Sequence, residues 1–197
     1  RPRAGAQALR PDTDSEMLEQ EVKLPFANAE AARRSVQSTG ARLVVSRRLL
    51  DDRLFDTEDQ HLQRAGCALR VRRDGPGACF TFKGPAQPGP VKSREEIETE
   101  VGDAAIAEAL LRALGFRRWF RAEKYREDYA LGSAVVTVDE APCGVFVEIE
   151  AAPAEIDRIA GLLGRSRADY VLLSYRALYA QWCEGRGITP GDMTFQG

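Results

Sequence analysis

From Leu18 to Glu150 the chain returns repeatedly to a period of two in which one face is apolar and the other carries charges of both signs. Leu18, Gln20, Val22 and Leu24 alternate with Glu19, Glu21 and Lys23; Leu69 and Val71 alternate with Arg70 and Arg72; Val145, Val147 and Ile149 alternate with Glu148 and Glu150. Successive side chains of an extended chain point to opposite faces, so this pattern specifies strands. Two-faced strands of this kind fit a sheet with one wet side, where Lys and Glu are simply solvated, or a barrel closed with its ionic face inward. The distribution of sign favours the barrel. Arg is concentrated on the central strands and Glu on the first and last, so closure sets a cationic wall against a carboxylate wall. Charges buried on that scale need partners or a ligand, which makes such an interior a binding site. Its chemistry suits a polyanion with a hard divalent cation: clustered Arg and Lys hold phosphate oxygens, and carboxylates supply the oxygen ligands that magnesium or manganese prefer.

The rest of the chain fits an α+β domain. Asp74-Gly75-Pro76-Gly77 separates two alternating runs, 68–73 and 79–83, and reads as a hairpin turn. Leu43 to Asp56 makes one or two strands, and Arg94, Glu96, Glu98 and Glu100 form the ionic face of another after the loop 84–90. Strands are also expected over 116–129, with Lys124, Arg126 and Asp128 on one face, and over 134–139. Asn28 and Asp103 are N-caps for helices that Gly40 and Gly115 end, and amphipathic helices are expected over 153–163 and 168–184. Residues 1–16 read as a disordered leader, 17–185 as the folded domain and 186–197 as an irregular tail. Lys and Arg total 28 against 30 Asp and Glu, a net charge of −2 that provides no basic field for nucleic acid. With no apolar run near the roughly 20 residues of a membrane span and no secretory signal, a cytoplasmic protein is expected. Cys67, Cys79, Cys143 and Cys183 show no metal or disulfide spacing and are expected to be buried thiols. His61, the lone histidine, reads as a surface residue, and neither a Walker A loop nor a G-x-S-x-G nucleophile motif is present.

Glu19-Gln20-Glu21-Val22-Lys23 is an E-x-E-x-K motif, followed in order by Phe55-Asp56-Thr57, Leu69-Arg70-Val71-Arg72, Phe82-Lys83-Gly84-Pro85, Ser93-Arg94-Glu95-Glu96, Glu123-Lys124-Tyr125-Arg126, Val138-Asp139-Glu140, Phe146-Val147-Glu148-Ile149-Glu150 and Ser174-Tyr175. In order and parity this series resembles the CYTH superfamily, the triphosphate tunnel metalloenzymes. The resemblance implies an eight-stranded antiparallel β-barrel tunnel flanked by helices. It implies a Mg2+ or Mn2+ cofactor with Glu19, Glu21, Glu148 and Glu150 as ligands and Asp139 supporting or joining them, and a triphosphate cradle of Lys23, Arg70, Arg72, Lys83, Arg94, Lys124 and Arg126. Glu21, Lys23 and Glu148 are the catalytic candidates. Glu96, Glu98 and Glu100 share a face, and which of them points deepest is left open. Leu54 and Leu173 depart from the family pattern, which often has an aromatic and a basic residue there. The implied activity is hydrolysis of a small-molecule triphosphate, with inorganic triphosphate ahead of thiamine or nucleoside triphosphates. A class IV-type adenylyl cyclase is the alternative, disfavoured by Glu16-Met17-Leu18 where such cyclases carry a His-Phe pair. A non-catalytic polyphosphate binder would need a broken carboxylate set. Oligomeric state is not legible.

Overall fold

The computed structural model describes residues 18–195, so the leader expected over 1–16 lies outside the described residues. Strands β1 (Leu18–Phe26), β2 (Arg42–Asp56), β3 (Ala68–Asp74), β4 (Gly77–Lys83), β5 (Lys92–Val101), β6 (Arg117–Leu131), β7 (Ala134–Ala141) and β8 (Gly144–Glu150) close into one antiparallel barrel in the order β1-β5-β4-β3-β2-β6-β7-β8. Register brings the ionic rows together on its inner face. Glu19 stands opposite Arg94, Glu21 opposite both Lys92 and Glu150, and Lys23 opposite Glu148. Arg72 stands opposite Asp52, Lys83 opposite Glu96 and Arg126 opposite Asp139. The hairpin turn is the two residues Gly75-Pro76: Gly75 has φ +57°, a conformation that costs a glycine little at the first position of such a turn. β2 is one strand, interrupted by register shifts, among them one between Val45 and Arg48.

The opposite, apolar face of the barrel is covered by helices. Val22, Leu24, Val136, Val138, Val147 and Ile149 pack against Ala32 and Val36 of α1 (Ala29–Ser38) and Ile156 and Ile159 of α4 (Pro153–Leu162). Each such side chain contributes about 1.5–3 kcal/mol on burial. Asn28 Oδ1 accepts from the Ala31 amide (2.9 Å) and starts α1, as expected. A second cluster sets Phe55, Leu69 and Val71 against Leu111 of α3 (Ala104–Ala113). Ile106 and Leu110 of the same helix, with Leu114 just after it, face outward.

The C-terminal region differs from the single helix expected over 168–184. It makes a 3-10 turn (Arg167–Asp169), runs extended, and enters α5 only at Tyr175 (Tyr175–Glu184). The cause is local competition for backbone groups. Ser166 and Asp169 close a capping box on each other. Val171 exchanges both backbone hydrogen bonds with Lys23 of β1 (3.1 and 2.9 Å), and Ser174 Oγ accepts from the Ala177 amide (3.2 Å) to restart the helix. This delivers Tyr175 to one end of the barrel, which Phe120, Ala141, Met193, Leu54, Tyr175 and Tyr179 close with apolar contacts. The described part of the tail, 186–195, forms neither helix nor strand, yet Met193 is buried and hydrogen-bonds along β6, to the Arg121 carbonyl and from the Glu123 amide (both 2.8 Å).

A four-residue helix the sequence did not suggest, α2 (His61–Arg64), follows Asp56, whose carboxylate accepts from the Leu62 and Gln63 amides (both 2.9 Å). His61 is exposed, as expected. Of the four thiols, all free, only Cys183 is buried; Cys67, Cys79 and Cys143 are half-buried, Cys79 because it lies on the polar inner face of β4. Among the described residues no helix is long and apolar enough to cross a membrane.

Candidate active site inside the barrel

Asp139 organises the cationic wall. It is 0% exposed and accepts from Arg126 Nε (2.6 Å), Arg126 Nη2 (2.6 Å), Lys124 Nζ (2.7 Å) and the Tyr175 hydroxyl (2.8 Å). Four donors around one carboxylate make it an anchor for cations, since an ion ligated there would have to displace them. Lys124 also lies 4.4 Å from the centre of the Tyr175 ring, a cation–π distance. Burial, with Arg126 alongside, lowers Lys124 to about 8 despite Asp139. Asp52 plays the same part on the neighbouring strands, accepting from Arg72 Nε (2.6 Å) and Nη2 (2.8 Å) with Arg70 at 3.7 Å. Bidentate pairing of this kind fixes the direction of a guanidinium as well as its position.

The carboxylate wall divides into two groups. Glu21 and Glu148 are held by resident cations: Glu21 accepts from Lys23 (2.9 Å) and from Lys92, and Glu148 lies 3.4 Å from Lys23 and is paired with Arg126. Burial alone would raise both carboxyls, but Lys23 and Lys92 hold Glu21 below its ordinary range, and Lys124, Lys23 and Arg126 do the same for Glu148. Glu19 and Glu150 are poorer in cations. Glu19 and Glu96 share Lys83, whose Nζ lies 2.7 Å from Glu19; Glu96 also has Arg70 at 3.8 Å, and against the upward push of burial Lys83 and Arg70 hold its carboxyl below the ordinary range. Glu19 is raised by burial and by Glu21 and Glu96 against Lys83. Glu150 reaches solvent at the rim, yet desolvation by the wall, then Glu19 and Glu96, push it up to about 7. Among the described residues, no three carboxylate, histidine or cysteine side chains stand ready to hold a metal ion. The hard oxygen donors of Glu19, Glu96 and Glu150, with Glu19 and Glu150 short of cations, nevertheless fit a divalent ion.

All the residues singled out in the sequence, namely Glu19, Glu21, Lys23, Arg70, Arg72, Lys83, Arg94, Lys124, Arg126, Asp139, Glu148 and Glu150, lie on the inner face by register. Of the three glutamates left open, Glu96 pairs with Lys83, Glu98 with Arg70 (3.3 Å), and Glu100 is exposed. Sequence reasoning missed Lys92, Asp52 and Thr137. Lys92 follows the proline-rich loop and could have been found by extending the Arg94 parity back two residues. Asp52 was hidden in the doublet Asp51-Asp52, and Thr137 in a run of valines. Six buried side-chain nitrogen or oxygen atoms among the described residues lack a hydrogen-bond partner. Two belong to Arg53 and Arg73, which pair with Glu108 under α3. The others, Arg48 Nη1, Arg70 Nε, Arg94 Nε and Thr137 Oγ1, belong to inward-facing residues, so the barrel interior holds unused hydrogen-bonding capacity.

Comparison with known proteins places this geometry. A protein of Methanocaldococcus jannaschii provisionally named an adenylate cyclase is 25% identical over 142 residues, covering 72% of this chain and 81% of that protein. The crystal structure of a provisionally named adenylate cyclase from Vibrio parahaemolyticus superposes with a TM-score of 0.71 at 20% identity, covering 82% of this chain and 97% of that one. HpAC1 from Hippeastrum, provisionally named an adenylyl cyclase and described as having a dominant triphosphatase activity, superposes with a TM-score of 0.60 at 20% identity, covering 88% of this chain and 97% of that one. The model of the CYTH domain matches residues 17–165, and the chain belongs to the CYTH domain family.

Proposed function

We propose that this chain is a divalent-metal-dependent triphosphatase that hydrolyses a phosphoanhydride bond of inorganic triphosphate inside the barrel. The observation that carries the reading is the interior itself: guanidinium and ammonium groups anchored by Asp139 and Asp52, with buried donors left unused, opposite Glu19 and Glu150, two glutamates short of cations. Members of the family are triphosphatases or cyclases, and this donor set serves the triphosphate part common to both. Phosphoryl transfer depends on alignment and charge neutralisation more than on covalent help. Arg70, Arg72, Lys83, Arg94, Lys124 and Arg126 bind and align the phosphate chain. Lys23 donates to a phosphate oxygen from between Glu21 and Glu148, and those two, held as carboxylates, accept hydrogen bonds from the attacking water and orient it. Mg2+ or Mn2+, held by Glu19, Glu96 and Glu150 in competition with Lys83, would supply Lewis-acid neutralisation of the phosphate oxygens.

The cyclase reading is supported by the name of the M. jannaschii relative. It needs a place for a nucleobase, and the aromatic rings nearest the interior among the described residues, Phe120, Phe146 and Tyr175, belong to the closed end. The deciding experiment incubates the protein with Mg2+ or Mn2+ and tripolyphosphate, thiamine triphosphate or ATP, scoring phosphate, pyrophosphate and cyclic AMP. Phosphate release fastest from tripolyphosphate supports the proposal. Cyclic AMP with pyrophosphate from ATP overturns it in favour of a cyclase, and no product with either metal leaves a polyphosphate binder.

A further inference from the structure

Thr137 is out of place in β7. Its neighbours in sequence are Val135, Val136 and Val138, and a valine would fill the same volume. It is 3% exposed, faces inward, and stands opposite Glu148 on one side and Asp128 on the other, yet its Oγ1 has no hydrogen-bond partner among the described residues. An orphaned buried hydroxyl lowers stability, so its retention calls for a use. A second orphan lies nearby. Arg48 donates through Nε to both oxygens of Asp74 (2.8 Å each) and through Nη2 to Asp128 (2.7 Å), while its Nη1 is buried and unpartnered. Asp128, the register partner of Thr137, therefore ties Arg48 to the strands that carry the hydroxyl. The register shift between Val45 and Arg48 places Arg48 opposite Arg126 on the inner face. Both orphans lie away from the end closed by Tyr175 and Met193: Thr137 precedes Asp139 by two residues on β7, about 6–7 Å along the strand.

We propose that Thr137 and Arg48 form an outer phosphoryl subsite, which binds the terminal phosphoryl group farthest from the closed end and lets the protein prefer triphosphate over pyrophosphate. The inference rests on the triphosphate reading above and adds the residues that measure chain length. Thr137 donates its hydroxyl proton to a phosphoryl oxygen, and Arg48 adds the N–H left free by its two aspartates.

The test is calorimetric titration of the full chain with tripolyphosphate and with pyrophosphate in EDTA, so that no turnover occurs, on the wild type, Thr137→Val, Thr137→Ser and Arg48→Met. Thr137→Val should weaken tripolyphosphate binding about tenfold, as loss of a hydrogen bond to a charged group does, with pyrophosphate affinity unchanged and Thr137→Ser near wild type. Arg48→Met should show the same selectivity. Removal of the orphan should meanwhile raise the Tm of Thr137→Val by about 2–4 °C, a change opposite in sign to the loss of binding that excludes misfolding. Equal weakening of both ligands, or unchanged tripolyphosphate affinity in Thr137→Val, overturns the subsite while leaving the triphosphatase reading intact. Absence of tripolyphosphate binding by the wild type overturns both.

Discussion

Asp139 distinguishes two accounts of the interior, because a metal ligand and a cation anchor respond differently to loss of charge. Asp139→Asn keeps the shape and removes the negative charge that faces Lys124 and Arg126 across three hydrogen bonds and the Tyr175 hydroxyl across a fourth. Breaking a buried ion pair by neutralising one partner costs about 3–5 kcal/mol, because the surviving charge stays buried. For a domain of this size about 2–4 °C of Tm accompany each kcal/mol, so the variant should melt roughly 6–20 °C below wild type. The interior also becomes more positive, and a polyanion should repair part of the damage. Tripolyphosphate at a hundred times its dissociation constant stabilises by about 2.7 kcal/mol, and the Tm gain it gives should be larger in Asp139→Asn than in wild type. The assay is thermal unfolding with and without tripolyphosphate in EDTA, together with Mn2+ binding followed by electron paramagnetic resonance. Mn2+ binding should persist in the variant. Lost Mn2+ binding with an unchanged Tm would refute the anchor role and return Asp139 to the ligands.

Glu148→Gln should reduce metal-dependent phosphate release at least a hundredfold while circular dichroism stays native; turnover near wild type would remove Glu148 from the machinery. Arg72→Ala should weaken tripolyphosphate binding and also destabilise the protein, since it leaves Asp52 buried with Arg70 at 3.7 Å. The double variant Asp52→Ala/Arg72→Ala should recover stability without recovering binding, and recovery of both would place Arg72 outside the cradle. Lys124, lowered to about 8, binds phosphate as the ammonium, so kcat/KM should fall as pH rises through that value. Its contribution to stability has the opposite sign: above pH 8 the unfolded chain holds this proton more than the folded one does, so that contribution grows with pH. Lys124→Arg should abolish the falling limb, and a limb that persists belongs to another group.

The closed barrel and most of its lining were legible because period-two alternation survives in β1, β3, β4 and β8, where the signs of the inner residues, Glu19, Arg70, Lys83 and Glu148, could be read from parity alone. Parity fails in β2, where register shifts and the Asp51-Asp52 doublet conceal which aspartate turns inward. It is silent on the C-terminal region, where Ser166 and Ser174 capping and a bridge from Val171 to the distant Lys23 override a helical pattern. The motifs also could not tell a carboxylate free to meet a metal from one already held by lysine and arginine. That division, with Glu19 and Glu150 short of cations and Glu21, Glu148 and Asp139 each held by two, depends on cross-strand neighbours brought in by barrel closure.

The most direct test of a polyanion site with its metal inside the barrel is anomalous diffraction from crystals soaked in Mn2+ and tripolyphosphate. The account predicts a manganese peak beside Glu19, Glu96 and Glu150, with phosphate density running along Arg70, Arg72, Lys124 and Arg126. Manganese and phosphate bound only on the outer surface, with the interior ion pairs undisturbed, would contradict it.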